Sequence, residues 1–420
     1  MPEFDAGNTA WMLASAALVL FMTPGLALFY GGMVRTKHVL GMLMQNFFAM
    51  GLVSVVWAVL GFTLAFGPDL GGGLLGGLRH LGLADLSGDP PLAGYVDDFA
   101  LSIPPLLFAL YQMMFAIITP ALFTGAVADR MKFSAYVVFL GLWSLLVYSP
   151  VAHWVFSPEG WLFQRGALDF AGGTVVHINA GVAALALALA LGKRKGWPKE
   201  AMAPHSLPFT LIGAGILWFG WFGFNAGSAL GANQLAATAF ANTHLAAATA
   251  MLGWLAAEKV KTGHATTLGA ASGIVAGLVA ITPCAGFVTP MFAIVIGGIA
   301  GIGCLLAIQL KFKLGYDDSL DVVGVHMFGG IIGSLLLGVF ATTAVNSLGA
   351  DGLLNGGGVG LLVNQLIAVG ATLVYSFVVS FVLAKILDAV MGLRVSEEQE
   401  LIGLDESLHA ERAYQTMETV

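Results

Sequence analysis

Two histidines stand inside apolar stretches of this sequence, each a few residues after an aspartate. The run D-F-A-G-G-T-V-V-H extends from Asp169 to His177, and the run D-V-V-G-V-H extends from Asp321 to His326. An ionisable side chain is costly in a segment long enough to cross a bilayer, by about 2.5–3.5 kcal/mol for a centrally placed charge. These residues are therefore candidates for function, because a neutral imidazole both donates and accepts a hydrogen bond.

The same residues also have a structural interpretation. A carboxylate just before a helix accepts hydrogen bonds from the first free N–H groups, so we expect Asp169 and Asp321 to cap the helices that follow them. A single histidine in such a helix is commonly a neutral packing residue. His177 lies about 12 Å beyond Asp169 along a helix, and His326 about 7.5 Å beyond Asp321. Two histidines that reach one depth from opposite faces of a membrane favour a functional pair.

Metal binding and hydrolysis are less well supported by these stretches. A zinc site needs a third or fourth ligand, and no further histidine, cysteine or carboxylate stands at matching depth. A hydrolase needs a nucleophile and a base in a water-filled site. The nearest hydroxyl, Thr174, faces about 60° away from His177 on a helix that turns by about 100° per residue. We therefore expect no enzyme activity, no metal and no cofactor.

Aromatic side chains form a third group of residues that could take part in function. Tyr111 and Phe115 lie one helical turn apart, and further rings stand near Trp154 and in the segment 218–224. Three apolar segments thus bring rings to one side of the membrane. Rings at a pore mouth can hold a small cation over their π-faces, which is worth about 0.5–2 kcal/mol. Rings at this spacing are also ordinary core or lipid-facing residues.

Membrane-spanning helices must position all of these residues. Hydrophobic residues make up 58% of the 420 residues and charged residues only 10%, which is too few to cover a soluble globule. The apolar runs exceed the roughly ten residues of a barrel strand, and helices satisfy their own backbone hydrogen bonds in lipid. The sequence predicts an all-α integral membrane protein with eleven transmembrane helices, at roughly 9–31, 39–66, 100–124, 134–156, 168–192, 206–226, 237–257, 267–287, 290–310, 324–344 and 361–391.

The basic residues predict the orientation of these helices. With the amino terminus outside and the carboxyl terminus inside, only Arg79 and Arg165 of the 17 Lys and Arg residues lie outside, as the positive-inside rule requires. Helix 5 then runs inward and helix 10 outward, so helices 1–5 and 6–10 form two five-helix inverted repeats with a conduction site between them. Helix 11 is peripheral. We predict a membrane domain, 1–391, and a cytoplasmic regulatory tail, 392–420, and the net charge of −7 argues against a nucleic-acid partner.

Four stretches together resemble the ammonium transporters, the Amt branch of the Amt/Mep/Rh superfamily. They are D-F-A-G-G-T-V-V-H-I-N-A-G, W-F-G-F-N-A-G-S-A, D-V-V-G-V-H and G-L-R-V-S-E-E-Q-E-L-I-G-L-D. The resemblance covers nearly the whole chain. It implies a multi-pass homotrimer in the cell (plasma) membrane, with one pore per subunit for ammonium or ammonia. It also implies a PII-type signal protein as a partner at the cytoplasmic face.

The resemblance assigns roles to residues of the pore. It implies that the pore twin histidines are His177 and His326 and that the essential acidic residue is Asp169. The phenylalanine gate of the family corresponds to Phe115 and Phe224.

The outer recruitment site of the family corresponds to Tyr111, Phe115 and Ser228, together with one more ring. Two rings are open for that place, Phe156 and Trp154. Two other functions also remain open at this point: an ammonium sensor that signals through its cytoplasmic tail, and a passive channel of the Rh type for ammonia or carbon dioxide.

Overall fold

The computed structural model describes residues 4–86 and 92–414. Within them the chain is helical, and β-structure is limited there to two isolated bridges. Ten of the described helices are long and apolar enough to cross a membrane, and an eleventh apolar helix is shorter. In chain order these helices are α1 (Ala6–Met33), α2 (Thr36–Phe66), α3 (Pro105–Val127), α4 (Phe133–Gln164), α5 (Gly173–Leu191), α6 (Leu207–Ala229), α7 (Gln234–Thr262), α8 (Thr267–Ile281), α9 (Pro290–Leu314), α10 (Val323–Phe340) and α11 (Gly360–Met391).

The prediction of an all-helical membrane protein is confirmed, with ten helices of spanning length where eleven were predicted. The shorter helix is α8, which ends at Ile281 after 15 residues, whereas the sequence predicted a helix to residue 287. Thr282 still has a helical conformation, and the helix ends because the next residue, Pro283, has no N–H to continue the helical hydrogen bonds. The start of α3 is likewise at Pro105 rather than residue 100.

The helices pack as a bundle in which corresponding members of the two predicted halves meet. The first helices of the halves, α1 and α6, lie along each other, and α5 packs against α11 and α10. The starts of α5 and α10 are both π-helical, at Gly173–Ile178 and Val323–Met327. A π-helical turn widens the helix locally and is frequent at functional sites. Each π-helical segment contains one of the predicted histidines.

Two glycines allow α5 and α10 to cross closely beside the histidines. Gly181 and Gly330 each follow a histidine by four residues. A Cβ atom at Gly330 would lie 2.8 Å from the carbonyl oxygen of Gly173, and one at Gly181 would overlap the backbone nitrogen of Met327. The two helices therefore touch backbone to backbone at this crossing, and the symmetric placement of the glycines supports the predicted inverted repeat.

The segment after α11 is folded against the helix bundle. It contains two short helices, α12 (Glu397–Ile402) and α13 (Leu404–His409). The buried carboxylate of Glu400 accepts a hydrogen bond from Lys195 N and one from Arg394 Nη2, both at 2.6 Å. Glu400 thus ties the tail to the connection between α5 and α6.

A second carboxylate attaches the tail to α2. Asp405 accepts hydrogen bonds from Leu40 N at 3.0 Å and from Gly41 N at 2.8 Å. It therefore binds free N–H groups in the first turns of α2, where a negative charge is favourable. The predicted tail extends to residue 420, and residues 415–420 lie outside the described part of the chain.

Candidate functional site

The two predicted histidines meet at the centre of the bundle. His177 Nδ1 lies 3.3 Å from His326 Nδ1, and the two rings stack with their centroids 5.4 Å apart. A bond between two Nδ1 atoms requires one imidazole to donate and the other to accept, so the rings hold different tautomers. Both side chains are buried, with exposed fractions of 1% and 3%. The expected pair is therefore present as a geometric unit.

A small apolar cavity lies beside this pair. Its volume is about 10 Å³ and its lining includes both histidines together with Trp221, Phe224 and Ile118, which is room for about one water-sized molecule. Among the described residues, no group forms a hydrogen bond with His177 Nε2. No group of three or more His, Cys, Asp or Glu side chains in that part of the chain is placed to hold a metal ion. His177 Nε2 is therefore available for a hydrogen bond with a small polar molecule in this cavity.

A row of aromatic rings leads from this cavity toward one face of the protein. The ring of Phe224 lies 5.9 Å from that of His177, and the ring of Phe115 lies 4.4 Å from that of Phe224. Tyr111 continues the row at 4.9 Å from Phe115. Both phenylalanines are buried. The two rings predicted to form the gate are thus in contact, and Phe224 lines the small cavity on this side.

A larger cavity begins on the far side of Phe115. We call it the outer cavity, because it opens on the side that the charge distribution assigns to the outside. Its volume is about 620 Å³, and its lining includes Tyr111, Phe115, Phe156, Asp169 and Ser228. The structure therefore brings these predicted site residues together around one cavity.

Trp154 does not line the outer cavity. Its indole N–H donates a hydrogen bond to Leu74 O at 2.8 Å, and its ring packs 4.7 Å from that of Tyr375. Side chains two residues apart on a helix point about 200° away from each other. Of these two rings, only that of Phe156 lines the outer cavity.

The hydroxyl of Tyr111 forms hydrogen bonds with residues of α6. It lies 2.9 Å from each of the carbonyl oxygens of Gly223 and Phe224, and 3.2 Å from Ser228 Oγ. Ser228 Oγ itself donates to Phe224 O at 2.8 Å. These bonds hold the Tyr111 ring in position and connect Phe224, which is predicted to belong to the gate, to the wall of the outer cavity.

Asp169 caps the start of α5, as expected. Its Oδ1 accepts hydrogen bonds from Gly172 N at 2.8 Å and Gly173 N at 2.7 Å, and its Oδ2 accepts from Thr174 N at 2.8 Å and Val175 N at 3.2 Å. Gly172 has a φ of 123°, which residues with a Cβ rarely adopt. One carboxylate therefore orders the turn that precedes His177 and also lines the outer cavity.

The expectation that Asp321 caps α10 is wrong, because Asp318 has that role. Asp318 Oδ2 accepts a hydrogen bond from Val323 N at 2.7 Å. Burial raises the pKa of Asp318 to about 6, although Lys311 opposes the shift. Asp321 has a left-handed φ of 64°, and its Oδ1 lies 2.6 Å from Lys311 Nζ. The chain turns at Asp321, so its side chain points away from the first turn of α10.

The side of the pair opposite the gate leads to an inner cavity. A space of about 10 Å³ lies below His326 and is lined by Tyr30 and Asp321 among others. Beyond it opens a cavity of about 330 Å³, again lined by Asp321 and also by Lys311 and Arg194. Lys311 is one of the Lys and Arg residues that the positive-inside rule assigned to the inner side. A lysine at the end of an apolar helix, close in sequence to two aspartates, is the signal that could have identified it.

Known proteins resemble this chain in sequence and in fold. The sequence model of the Ammonium Transporter Family matches residues 10–414. An "Ammonium transporter" of Mycobacterium tuberculosis (strain H37Rv) is 52% identical over 98% of this chain and 90% of its own length, and one of Bacillus subtilis (strain 168) is 50% identical over 97% and 98%. The crystal structure of Saccharomyces cerevisiae Mep2 is similar with a TM-score of 0.87 and 39% identity, covering 94% of this chain and 89% of that one. The chain is therefore a multi-pass membrane protein that belongs to the Ammonium Transporter Family.

Proposed function

We propose that this protein transports ammonium across the membrane by passing ammonia between His177 and His326. One observation carries the proposal: the cavities are connected in sequence through shared or touching residues. The outer cavity ends at Phe115, which contacts Phe224 of the central cavity. The central cavity shares His326 with the space below it, and that space shares Asp321 with the inner cavity. The outer cavity receives ammonium beside Asp169, and the gate admits the molecule to the small central cavity. The inner cavity then releases it on the opposite side.

The chemistry of the central cavity favours ammonium over other monovalent cations. Potassium resembles ammonium in size and charge, but it cannot lose a proton. Moving an ion from water into a dry, apolar space costs several kcal/mol, and the gate rings and central cavity offer no charge in return. Ammonia crosses as a neutral molecule and exchanges hydrogen bonds with the imidazole nitrogens.

The proposal also covers the assembly of the protein and its location in the cell. We propose a homotrimer in the plasma membrane with one pore per subunit and the amino terminus outside. Large apolar side chains exposed on α1 and α6, such as Phe21 and Phe219 with 47% and 57% exposed, provide surface for lipid or for a second subunit. A PII-type signal protein is the proposed partner at the inner face, next to the folded tail.

Ammonium-evoked current and uptake in liposomes that contain the purified protein test the proposed function. We expect ammonium to evoke flux well above that of protein-free liposomes and potassium to evoke none. A sensor would give no flux, and a passive gas channel would change the internal pH without carrying ammonium against its gradient. Absence of ammonium flux in assembled protein contradicts the proposal.

Phe156 is predicted to be the ring that completes the outer recruitment site. Because a cation–π contact contributes about 0.5–2 kcal/mol, Phe156→Leu should raise the half-saturating ammonium concentration roughly two- to thirtyfold. Trp154→Phe is the matched control, because that side chain lies outside the outer cavity. It should lower thermal stability through the lost bond to Leu74 and leave the half-saturating concentration unchanged. The reverse pattern would assign the site to Trp154.

The tail is predicted to support flux without being needed for insertion. Truncation after Val390 removes Leu393, whose carbonyl accepts a hydrogen bond from Lys132 N at 3.0 Å, and it removes the carboxylates of Glu400 and Asp405. Loops at the inner mouth then lose their partners, so we expect slower flux in liposomes at equal amounts of assembled protein. Truncation after Tyr414 is the control, because it keeps these contacts. Equal flux from both truncated proteins would make the tail a passive extension.

A further inference from the structure

The ammonium group of a buried lysine, Lys311, lies at the inner end of the proposed pore. Lys311 Nζ lies 2.6 Å from Asp321 Oδ1 and donates a hydrogen bond to Asp318 O at 3.1 Å. Only 9% of Lys311 is exposed. A lysine is rarely this buried unless it is paired, and here its partner Asp321 also lines both the space below His326 and the inner cavity.

The ammonium group of a lysine is chemically an ammonium ion with one hydrogen replaced by carbon. It donates hydrogen bonds from a compact positive charge. Lys311 Nζ is held by an ion pair with the Asp321 carboxylate and a hydrogen bond to Asp318 O, and the same two groups could hold a free ammonium ion at this point. The proposed exit route of ammonia passes this point, because Asp321 lies between His326 and the inner cavity.

We propose that Lys311 is a tethered cation that fills an ammonium-binding position at Asp321 and keeps free ammonium and potassium from occupying it. The inference rests on the proposed function, since it concerns the exit of the same pore. Tethering gives Lys311 an effective concentration of roughly millimolar or above at Asp321. Free cations at lower concentration do not displace Lys311. The transported ammonium therefore leaves the inner mouth without binding to an unpaired Asp321 carboxylate.

Thallium(I), a monovalent cation close to ammonium and potassium in size, provides a probe of occupancy. Crystals of the purified protein are soaked in a thallium salt below the roughly millimolar effective concentration of the tethered lysine, and anomalous scattering locates the ion. We expect a thallium peak beside Asp321 in Lys311→Gln and none there in wild type. Lys313→Gln is the matched control, because Lys313 is an exposed lysine on the same helix, and it should behave as wild type. The double variant Lys311→Gln/Asp321→Asn should lose the peak.

Flux in liposomes provides the second readout. Ammonium inside the liposomes should inhibit uptake by Lys311→Gln at a concentration at least roughly tenfold lower than for wild type, and Asp321→Asn in the same chain should remove the added inhibition. Thallium beside Asp321 in wild type, or its absence there in an assembled Lys311→Gln protein, overturns the proposal. If Lys311→Gln does not assemble, wild type decides at thallium concentrations below the roughly millimolar effective concentration of the tethered lysine: Lys311 remaining on Asp321 supports the inference, and its displacement overturns it.

The two proposals can fail separately. Thallium occupancy requires no transport, so a missing peak in Lys311→Gln removes the tethered-cation role while wild-type ammonium flux stands. Absent ammonium flux in wild type removes the proposed function, whatever the crystals contain.

Discussion

Potassium is expected to cross the pore once His177 is replaced by aspartate. The carboxylate would bring water and a negative charge into the central cavity, which is otherwise apolar apart from the imidazoles. Both changes lower the desolvation cost that excludes ions which stay charged. Each ~1.4 kcal/mol removed from the barrier raises a rate about tenfold, so potassium current should become measurable, at least about tenfold above the wild-type background, while selectivity for ammonium falls. The measurement is potassium against ammonium current for wild type and His177→Asp in the same bilayers.

His177→Ala is the control for this result. It removes the hydrogen bond to His326 without adding a charge, so it should slow ammonium flux and leave the pore closed to potassium. A His177→Asp protein that excludes potassium and passes ammonium at the wild-type rate would contradict the role given to the histidine pair. Discrimination would then lie with Phe115 and Phe224.

Asp169→Ala is expected to abolish ammonium uptake and to reduce the amount of assembled protein. The carboxylate accepts four backbone hydrogen bonds at the start of α5. Loss of a single helix cap costs about 1 kcal/mol, and bonds to a charged acceptor contribute about 1.5–3 kcal/mol each. The variant also removes the negative charge from the outer cavity. Uptake by cells that lack their own ammonium transport, normalised to the membrane-inserted protein, measures both effects.

Asp169→Asn separates the two effects. Its amide oxygen still accepts hydrogen bonds from the turn, but the charge is gone. We expect assembly closer to wild type and uptake well below it. Full uptake by Asp169→Ala at normal assembly would show that Asp169 has neither role.

The sequence was most informative where one residue type in an apolar context carries the chemistry. His177 and His326 could be predicted because a polar group within a spanning helix is costly and therefore indicates function. The cap by Asp169 could be predicted because a carboxylate just before a helix accepts hydrogen bonds from its first N–H groups. The cap of α10 was missed because Asp321 adopts a left-handed φ, which turns its side chain out of the helix axis. Asp318 precedes His326 by eight residues, as Asp169 precedes His177, and that equal spacing was the better signal.

Other parts of the site depend on packing that a sequence does not express. Trp154 and Phe156 are two residues apart, so local sequence allows either ring to face the pore. The contacts of Trp154 with Leu74 and Tyr375 decide between them, and these partners lie far away in the sequence. The ion pair between Lys311 and Asp321 likewise depends on the turn that joins α9 to α10.

The crossing of α5 and α10 at Gly181 and Gly330 makes that point a fulcrum. Bilayers differ in thickness, and helices accommodate the difference by changing their tilt. Rotation about a fixed contact moves the ends of two rods the most and their meeting point the least. Because the backbones touch one turn beyond His177 and His326, a change of tilt would widen or narrow the mouths while the spacing of the two imidazoles stays constant. Membrane composition should therefore alter how fast molecules enter and leave, and leave unchanged which molecules pass.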